Sequence, residues 1–287
     1  MSPVVLDGQG RLPASYDADR ALVTLHMRQI LAAFPATSGV DELCAYHLGW
    51  ADEHGRPVAG TAGKMLRPVL CLAACRGYGD PAGATGVAAA IELLHAFSLV
   101  HDDIEDDDKL RRGRPTLWAS VGMPLALNAG DFLFGIALRG LCEAVGERAT
   151  EQILPAVRLF SDAYLRMIDG QHLDIEFEGR PRVSTAEYVQ MAQGKTGALL
   201  GASLALGALC GGAAVHDVER VRTAGVELGL AFQAVDDALA IWGDPGVIGK
   251  AVGNDLARGK KSLPVTLAME RGWAPNSQSG SGAALQE

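Results

Sequence analysis

Residues 101–116 read HDDIEDDDKLRRGRPT, a stack of carboxylates that passes directly into a cluster of arginines. Asp102 and Asp106 are spaced i,i+4, so on a helix they share a face about 6 Å apart along the axis, with Asp103 beside them. Two like charges this close repel unless a cation lies between them. Mg²⁺ suits such a gap, because it takes one or two carboxylates and completes its octahedron with waters and substrate phosphate oxygens. Arg111, Arg112 and Arg114 then supply planar forks that fit phosphate oxygens. The chemistry indicated is the holding of a polyphosphate through metal ions. A solvated acidic loop followed by a basic one would explain an isolated charge run, but this run is not isolated.

A second segment, FQAVDDALAIWGDPGVIGKAVGNDLARGKKSLP at 232–264, repeats the pattern. Gln233, Asp236, Asp237 and Ala240 form one helical stripe, and a lysine-rich, glycine-interleaved segment with Lys250, Lys260 and Lys261 follows. Such a segment suits a mobile cover over anionic groups.

The elements that must carry these residues are helices. Ala- and Leu-rich runs at helical spacing recur at about 17–48, 64–77, 84–106, 123–145, 149–176, 184–211 and 215–241, separated by Gly, Pro and charged breaks. Ser184 with Glu187 reads as a capping box, and strand-type alternation is nearly absent. A chain of 287 residues, 48% of them hydrophobic, has enough apolar material for one large core. No Pro/Ser-rich linker divides it, so a single all-α domain over 1–270 is expected, with 271–287 a disordered tail by composition. The net charge of −9 and the lack of a further basic face argue against nucleic acid. No secretory leader or long uninterrupted apolar run is visible, so a cytoplasmic protein without stable membrane insertion is expected. Cys44, Cys71, Cys75, Cys142 and Cys210, an odd number without CxxC spacing, read as reduced core residues.

With these segments in view, the chain resembles a trans-isoprenyl diphosphate synthase of the polyprenyl synthetase family. The marks run in the family's order: GKMLRP at 63–68, IELLHAFSLVHDDIEDDDKLRRGRPT at 91–116, NAGDFL at 128–133, DGQHLD at 169–174, GKTGALL at 194–200, and the 232–264 segment. The resemblance implies a bundle of about ten helices around a central cavity, the isoprenoid synthase type, and a homodimer. It implies Mg²⁺-dependent head-to-tail condensation of isopentenyl diphosphate with an allylic diphosphate. On the family's pattern Asp102 and Asp106 would hold two ions and Asp236 a third, with Asp103 and Asp237 in support. Lys195, Lys250 and Arg111 would contact the allylic diphosphate, under a basic segment that includes Lys260. Lys64, Arg67, His95 and Arg112 would bind isopentenyl diphosphate without metal, and Thr196 and Gln233 would stabilise the allylic cation. His95 is also i,i+7 from Asp102, on the same stripe. Lys195 lies in an apolar run and needs an anionic partner or a watery cavity. Phe97 stands five residues before Asp102, about 7.5 Å down the helix, where bulk would close a product tunnel. Together with Ser98 and the uninserted DDIED this favours a C20 product, geranylgeranyl diphosphate.

Two departures from the family pattern stand out. Ala240 occupies the place of the last aspartate in the second motif, and Asp244 lies beyond Gly243, next to Pro245, where a helix is expected to stop. After KKSLPVTLAMERG the sequence reads WAPNSQSGSGAALQE, where relatives continue through further helices, so the bundle is expected to lack its C-terminal helices. Two other functions stay open. A class I terpene cyclase also ionises prenyl diphosphates, although Asn254-Asp255 is followed here by Arg258 and Ser262 at the Ser and Glu places of its usual motif. A catalytically impaired or regulatory prenyltransferase subunit would account for Ala240.

Overall fold

A computed structural model of the chain describes residues 14–58, 63–146, 150–243 and 258–273. They are almost entirely helical and fall into two compact units, one of residues 1–160 with 203–221 and the other of 161–202 with 222–287.

In the first unit the order is α1 (Ala14–Ala32), α2 (Val40–His47), α3 (Leu66–Arg76), α4 (Thr85–Glu105), a hairpin of β1 (Leu110–Arg111) and β2 (Arg114–Pro115), α5 (Leu117–Val121) and α6 (Met123–Gly146). α7 (Ile153–Glu178) begins here, and parts of α9 (Ala198–Cys210) and α10 (Val215–Trp242) return to it. α4 is the central element. Apolar on nearly every side, it packs against α1, α3 and α6 and buries Ile91, Leu93, Leu94, Phe97 and Val100. The segments Pro81–Glu105 and Met123–Gly146 are long and apolar enough by composition to cross a membrane, but 67% of the apolar window of the former lies buried in the protein.

The expected single run over 17–48 is two helices. The chain breaks after Ala32 and restarts from Gly39, whose φ of 77° lies in the left-handed region. The hairpin is the one regular strand pairing among the described residues. Arg112 and Gly113 form its two-residue turn with φ of 52° and 75°, the primed geometry that matches strand twist. All five cysteines are free, and Cys44, Cys71 and Cys75 are fully packed, in line with their reading as core residues.

The second unit contains the rest of α7, α8 (Thr185–Ala192), a π-helical turn at Gln193–Gly197, the start of α9, the C-terminal part of α10, and α11 (Leu263–Glu270). Ser184 and Glu187 form the expected capping box at the start of α8. Phe177, Val183, Tyr188 and Met191 make the local core, with Leu230 and Leu263 packed on it. Lys250, Asp244, Asn254 and Asp255 lie outside the described residues, as does the tail from 274.

Candidate functional site

In the first unit, α4 ends at the acidic run. Asp106 is its C-cap and keeps helical dihedrals, with its N–H bonded to the Asp102 carbonyl at 2.8 Å. Asp102 and Asp106 therefore lie on one face of the helix's C-terminal end, where the helix dipole adds to the pull on a cation. Asp103, one residue on, points elsewhere. It is 1% exposed, and Arg111 places both Nε and a terminal nitrogen on its Oδ1 at 2.7 Å, leaving Oδ2 buried without a hydrogen-bond partner. Burial pushes this carboxyl up and the Arg111 contact opposes it, while Arg111 itself is held more firmly charged by Asp103.

The basic residues gather around α4 one to two turns earlier. Arg67, in the first turn of α3, lies 3.0 Å from His95 Nε2. Arginine only donates, so His95 Nε2 accepts and the ring proton sits on Nδ1, which faces the Ser98 hydroxyl at 3.5 Å. Burial, reinforced by Arg67, Arg111 and Arg112, drives His95 well below the usual histidine range, so it is neutral. The Arg112 guanidinium lies against Gly63, where a Cβ would come within 2.4 Å of it and the arginine tip would have to shift. The segment carrying Lys64 is tied to α1, where the Tyr16 hydroxyl donates to the Lys64 carbonyl and Arg20 donates to the Gly63 carbonyl at 3.1 Å.

A cavity of about 330 Å³ opens among these groups, lined by His47, Glu92, His95, Asp103, Arg111 and Arg112 among others. Reading the sequence did not single out His47 and Glu92. Glu92 had a signal, since it sits three residues before His95 on the same stripe; His47 had none. Burial, with help from Arg111, lowers His47 to about 3, and its Nε2 lies 3.0 Å from the Ala96 carbonyl. Burial raises Glu92 against the pull of Arg67, Arg112 and Arg20. Phe97 is 2% exposed, with its ring 4.6 Å from His101 and 5.7 Å from Phe134. The NAGDFL run supports it: Gly130 leaves room for the His101 ring, and Asp131 lies 3.7 Å from His101 Nε2.

In the second unit, Lys195 finds the anionic partner its setting requires. Its Nζ is 2.5 Å from Asp174 Oδ2, with Lys260 3.8 Å from the same oxygen. Burial alone would raise Asp174, but the two lysines and Arg258 hold it below the usual carboxylate range. Asp174 closes the DGQHLD run but was not picked out as a site residue. The same run carries Gly170, where a Cβ would meet the Lys195 backbone nitrogen at 2.1 Å; the GKTG turn crosses α7 at a point only glycine permits. That turn is π-helical, a local departure that recurs at functional sites.

Thr196 donates to Gln233 Oε1 at 2.5 Å, and Gln233 donates onward to Asp237 Oδ1 at 2.9 Å. Asp237 Oδ2 accepts from the Tyr188 hydroxyl at 2.7 Å and from the Leu263 N–H at 2.9 Å. Asp236 is exposed on α10, and Ala240 takes the i,i+4 place that Asp106 fills on α4.

Among the described residues no three His, Cys, Asp or Glu side chains converge into a ready-made metal cage. The donor set still fits Mg²⁺, which needs one or two carboxylates from protein when phosphate oxygens and waters supply the rest. Asp102 and Asp106 supply two such carboxylates on one helix-end face, and Asp236 supplies an exposed one on α10.

The polyprenyl synthetase family model matches residues 50–279. A geranylgeranyl diphosphate synthase of Mycobacterium tuberculosis (strain ATCC 25618 / H37Rv) is 45% identical over 228 residues, covering 79% of this chain and 64% of its own length. A (2E,6E)-farnesyl diphosphate synthase of Mycobacterium bovis is also 45% identical, over 229 residues, with 79% and 63% covered. The crystal structure of a polyprenyl synthetase from Streptomyces coelicolor A3(2) aligns with a TM-score of 0.83 at 41% identity, over 91% of this chain and 76% of that one. The chain thus spans a little under two-thirds of the length of both mycobacterial relatives.

Proposed function

Because the chain belongs to the polyprenyl synthetase family, we propose that it joins isopentenyl diphosphate head-to-tail to an allylic diphosphate, giving a linear trans-prenyl diphosphate. The observation that carries this reading is the arrangement in the first unit: a two-carboxylate face at the end of α4, with Arg111, Arg112 and His95 lining a cavity beside the same helix and Arg67 bonded to His95.

Magnesium held by Asp102, Asp106 and Asp236, three ions in all with substrate bound, would supply the positive charge against which the allylic diphosphate leaves. Arg111, Lys195 and Lys250 serve that same diphosphate on the family's pattern. Asp103 holds the Arg111 fork in one orientation, and Asp174 does the same for Lys195. Isopentenyl diphosphate must be held without being ionised, a task suited to Lys64, Arg67 and Arg112, with no carboxylate pair among them. Neutral His95 aligns Arg67 rather than adding charge. The Thr196 and Gln233 oxygens face the developing allylic cation, and the proton lost at the end leaves with the released diphosphate, so no side-chain base is assigned.

Relatives of equal identity carry C20 and C15 product names. The buried Phe97, with the Phe134 ring tilted against it, supports a C20 product here. A homodimer is proposed on the family's pattern and on the exposed Met123, Leu125 and Leu127 of α6. A cytoplasmic location follows from the reading as a soluble synthase.

The test is to incubate the purified chain with Mg²⁺, isopentenyl diphosphate and, separately, dimethylallyl, geranyl and farnesyl diphosphates, then identify the dephosphorylated products by mass. A linear C20 alcohol is expected; no product from any starter would overturn the proposal. In the same assay Phe97→Ala is expected to lengthen the products, at a cost of about 3 kcal/mol in stability from the lost packing. An unchanged product distribution would remove Phe97 from the tunnel.

A further inference from the structure

Asp237 is the second member of an acidic pair, yet its carboxylate is fully engaged inside its own unit. Both oxygens accept hydrogen bonds, from Gln233, from the Tyr188 hydroxyl and from the N–H that opens α11. Tyr188 is fully buried and Thr196 is 6% exposed, while Gln233 and Asp237 between them are half-buried, so the relay is anchored in the core at both ends.

The direction of every hydrogen in this chain follows from the chemistry of its end. An ionised carboxylate only accepts, so Gln233 must turn its NH₂ toward Asp237 and its carbonyl oxygen toward Thr196. Thr196 must then donate to that oxygen. A hydroxyl whose hydrogen is committed in this way offers only lone pairs to whatever approaches its other side.

We propose that Asp237 is a positioning residue rather than a metal ligand: through Gln233 it fixes the Thr196 hydroxyl as an electron-pair donor toward a cationic carbon, while Tyr188 and the Leu263 N–H hold the carboxylate in place. This rests on the prenyl-transfer reading, in which a carbocation forms next to Thr196. It divides the acidic pair, with exposed Asp236 serving the ion and Asp237 serving the polarity of the relay.

Asp237→Asn is the discriminating variant, because the amide can keep every bond while reversing the two that run through Gln233 to Thr196. Its oxygen still accepts from Tyr188 and Leu263, but its NH₂ now faces Gln233. The Gln233 amide turns over and donates to Thr196, and the hydroxyl hydrogen is turned outward toward the cation. The kcat is expected to fall about ten- to a hundredfold, while both KM values and the Mg²⁺ midpoint stay within about twofold of the parent. Adding Gln233→Glu restores an acceptor for Thr196, and the double variant is expected to recover most of the lost kcat. A readout without turnover separates the two aspartates: the rise in melting temperature on adding Mg²⁺ with inorganic pyrophosphate is retained in full in Asp237→Asn and reduced in Asp236→Asn.

A reduction of that rise in Asp237→Asn, or a raised Mg²⁺ midpoint matching that of Asp236→Asn, would overturn the proposal. So would a double variant no faster than the single one. Should Asp237→Asn fail to fold, the isosteric Thr196→Val carries the test: a lowered kcat at unchanged KM supports the relay, and parental kcat refutes it. A parent chain that forms no condensation product would sink the functional reading, and the pyrophosphate comparison would still decide whether Asp237 binds metal.

Discussion

The two acidic motifs, one in each unit, divide their aspartates in the same way by different means. On α4, Asp102 and Asp106 share the helix-end face while Asp103 is buried under Arg111. On α10, Asp236 is exposed while Asp237 is bound by Tyr188, Gln233 and the start of α11. Adjacent residues on a helix point about 100° apart, so a DD pair cannot present both carboxylates to one ion without distortion. The difference lies in what the inward aspartate holds. Asp103 fixes a guanidinium, whereas Asp237 accepts from a neutral amide and a hydroxyl. The first motif is thus built around charge and the second around hydrogen-bond direction.

The comparison can be broken most severely at Asp102 and Asp106. Asp102→Ala removes a ligand from the two-carboxylate face and is expected to lower turnover about a thousandfold or more. Near-parental turnover in steady-state assays would refute the metal assignment. Arg111→Met tests the inward partner instead, since it strands the buried Asp103 charge. A loss of about 3–5 kcal/mol in urea unfolding is expected. Because a neutral isostere leaves no such charge, Asp103→Asn combined with Arg111→Met should recover a large part of that loss. Lys64→Ala should leave the folded state intact and raise KM for isopentenyl diphosphate about tenfold. An effect confined to the allylic substrate would move Lys64 out of the metal-free site.

The smallest expected effect comes from the α8 cap in the second unit. Hydrogen bonds from the Ser184 backbone and hydroxyl, with Arg180, lower Glu187 to about 2. A depressed carboxyl contributes stability above its unfolded pKa of about 4.3, and that contribution is lost as pH falls toward about 2. Glu187→Gln should therefore lower the melting temperature slightly at neutral pH and flatten its slope over that acid range. A parallel slope in the two proteins would show that the cap makes no such contribution.

Much of this could be read in the chain. The i,i+4 spacing of Asp102 and Asp106, the capping box at Ser184 and the helical runs all depend on local periodicity. The requirement that Lys195 have an anion follows from its apolar surroundings, but which residue supplies it does not. Asp174 lies 21 residues away and reaches Lys195 because Gly170 lets two backbones touch. The hairpin at 110–115 was missed because its strands are two residues each, too short for alternation to show. Its Arg-Gly turn was the available signal. The 17–48 run divides into two helices because Pro35 follows the end of α1 and the left-handed Gly39 opens α2.

By itself the sequence determined that this is a helical protein with paired carboxylates next to basic segments, because helix periodicity and like-charge repulsion act between neighbours along the chain. Which residue engages Asp103 and which engages Asp237 was decided only in the tertiary structure. That choice rests on partners brought from a distance: Arg111 from eight residues away for Asp103, and Tyr188 from 49 residues away for Asp237. Burial then makes each of those contacts costly to lose.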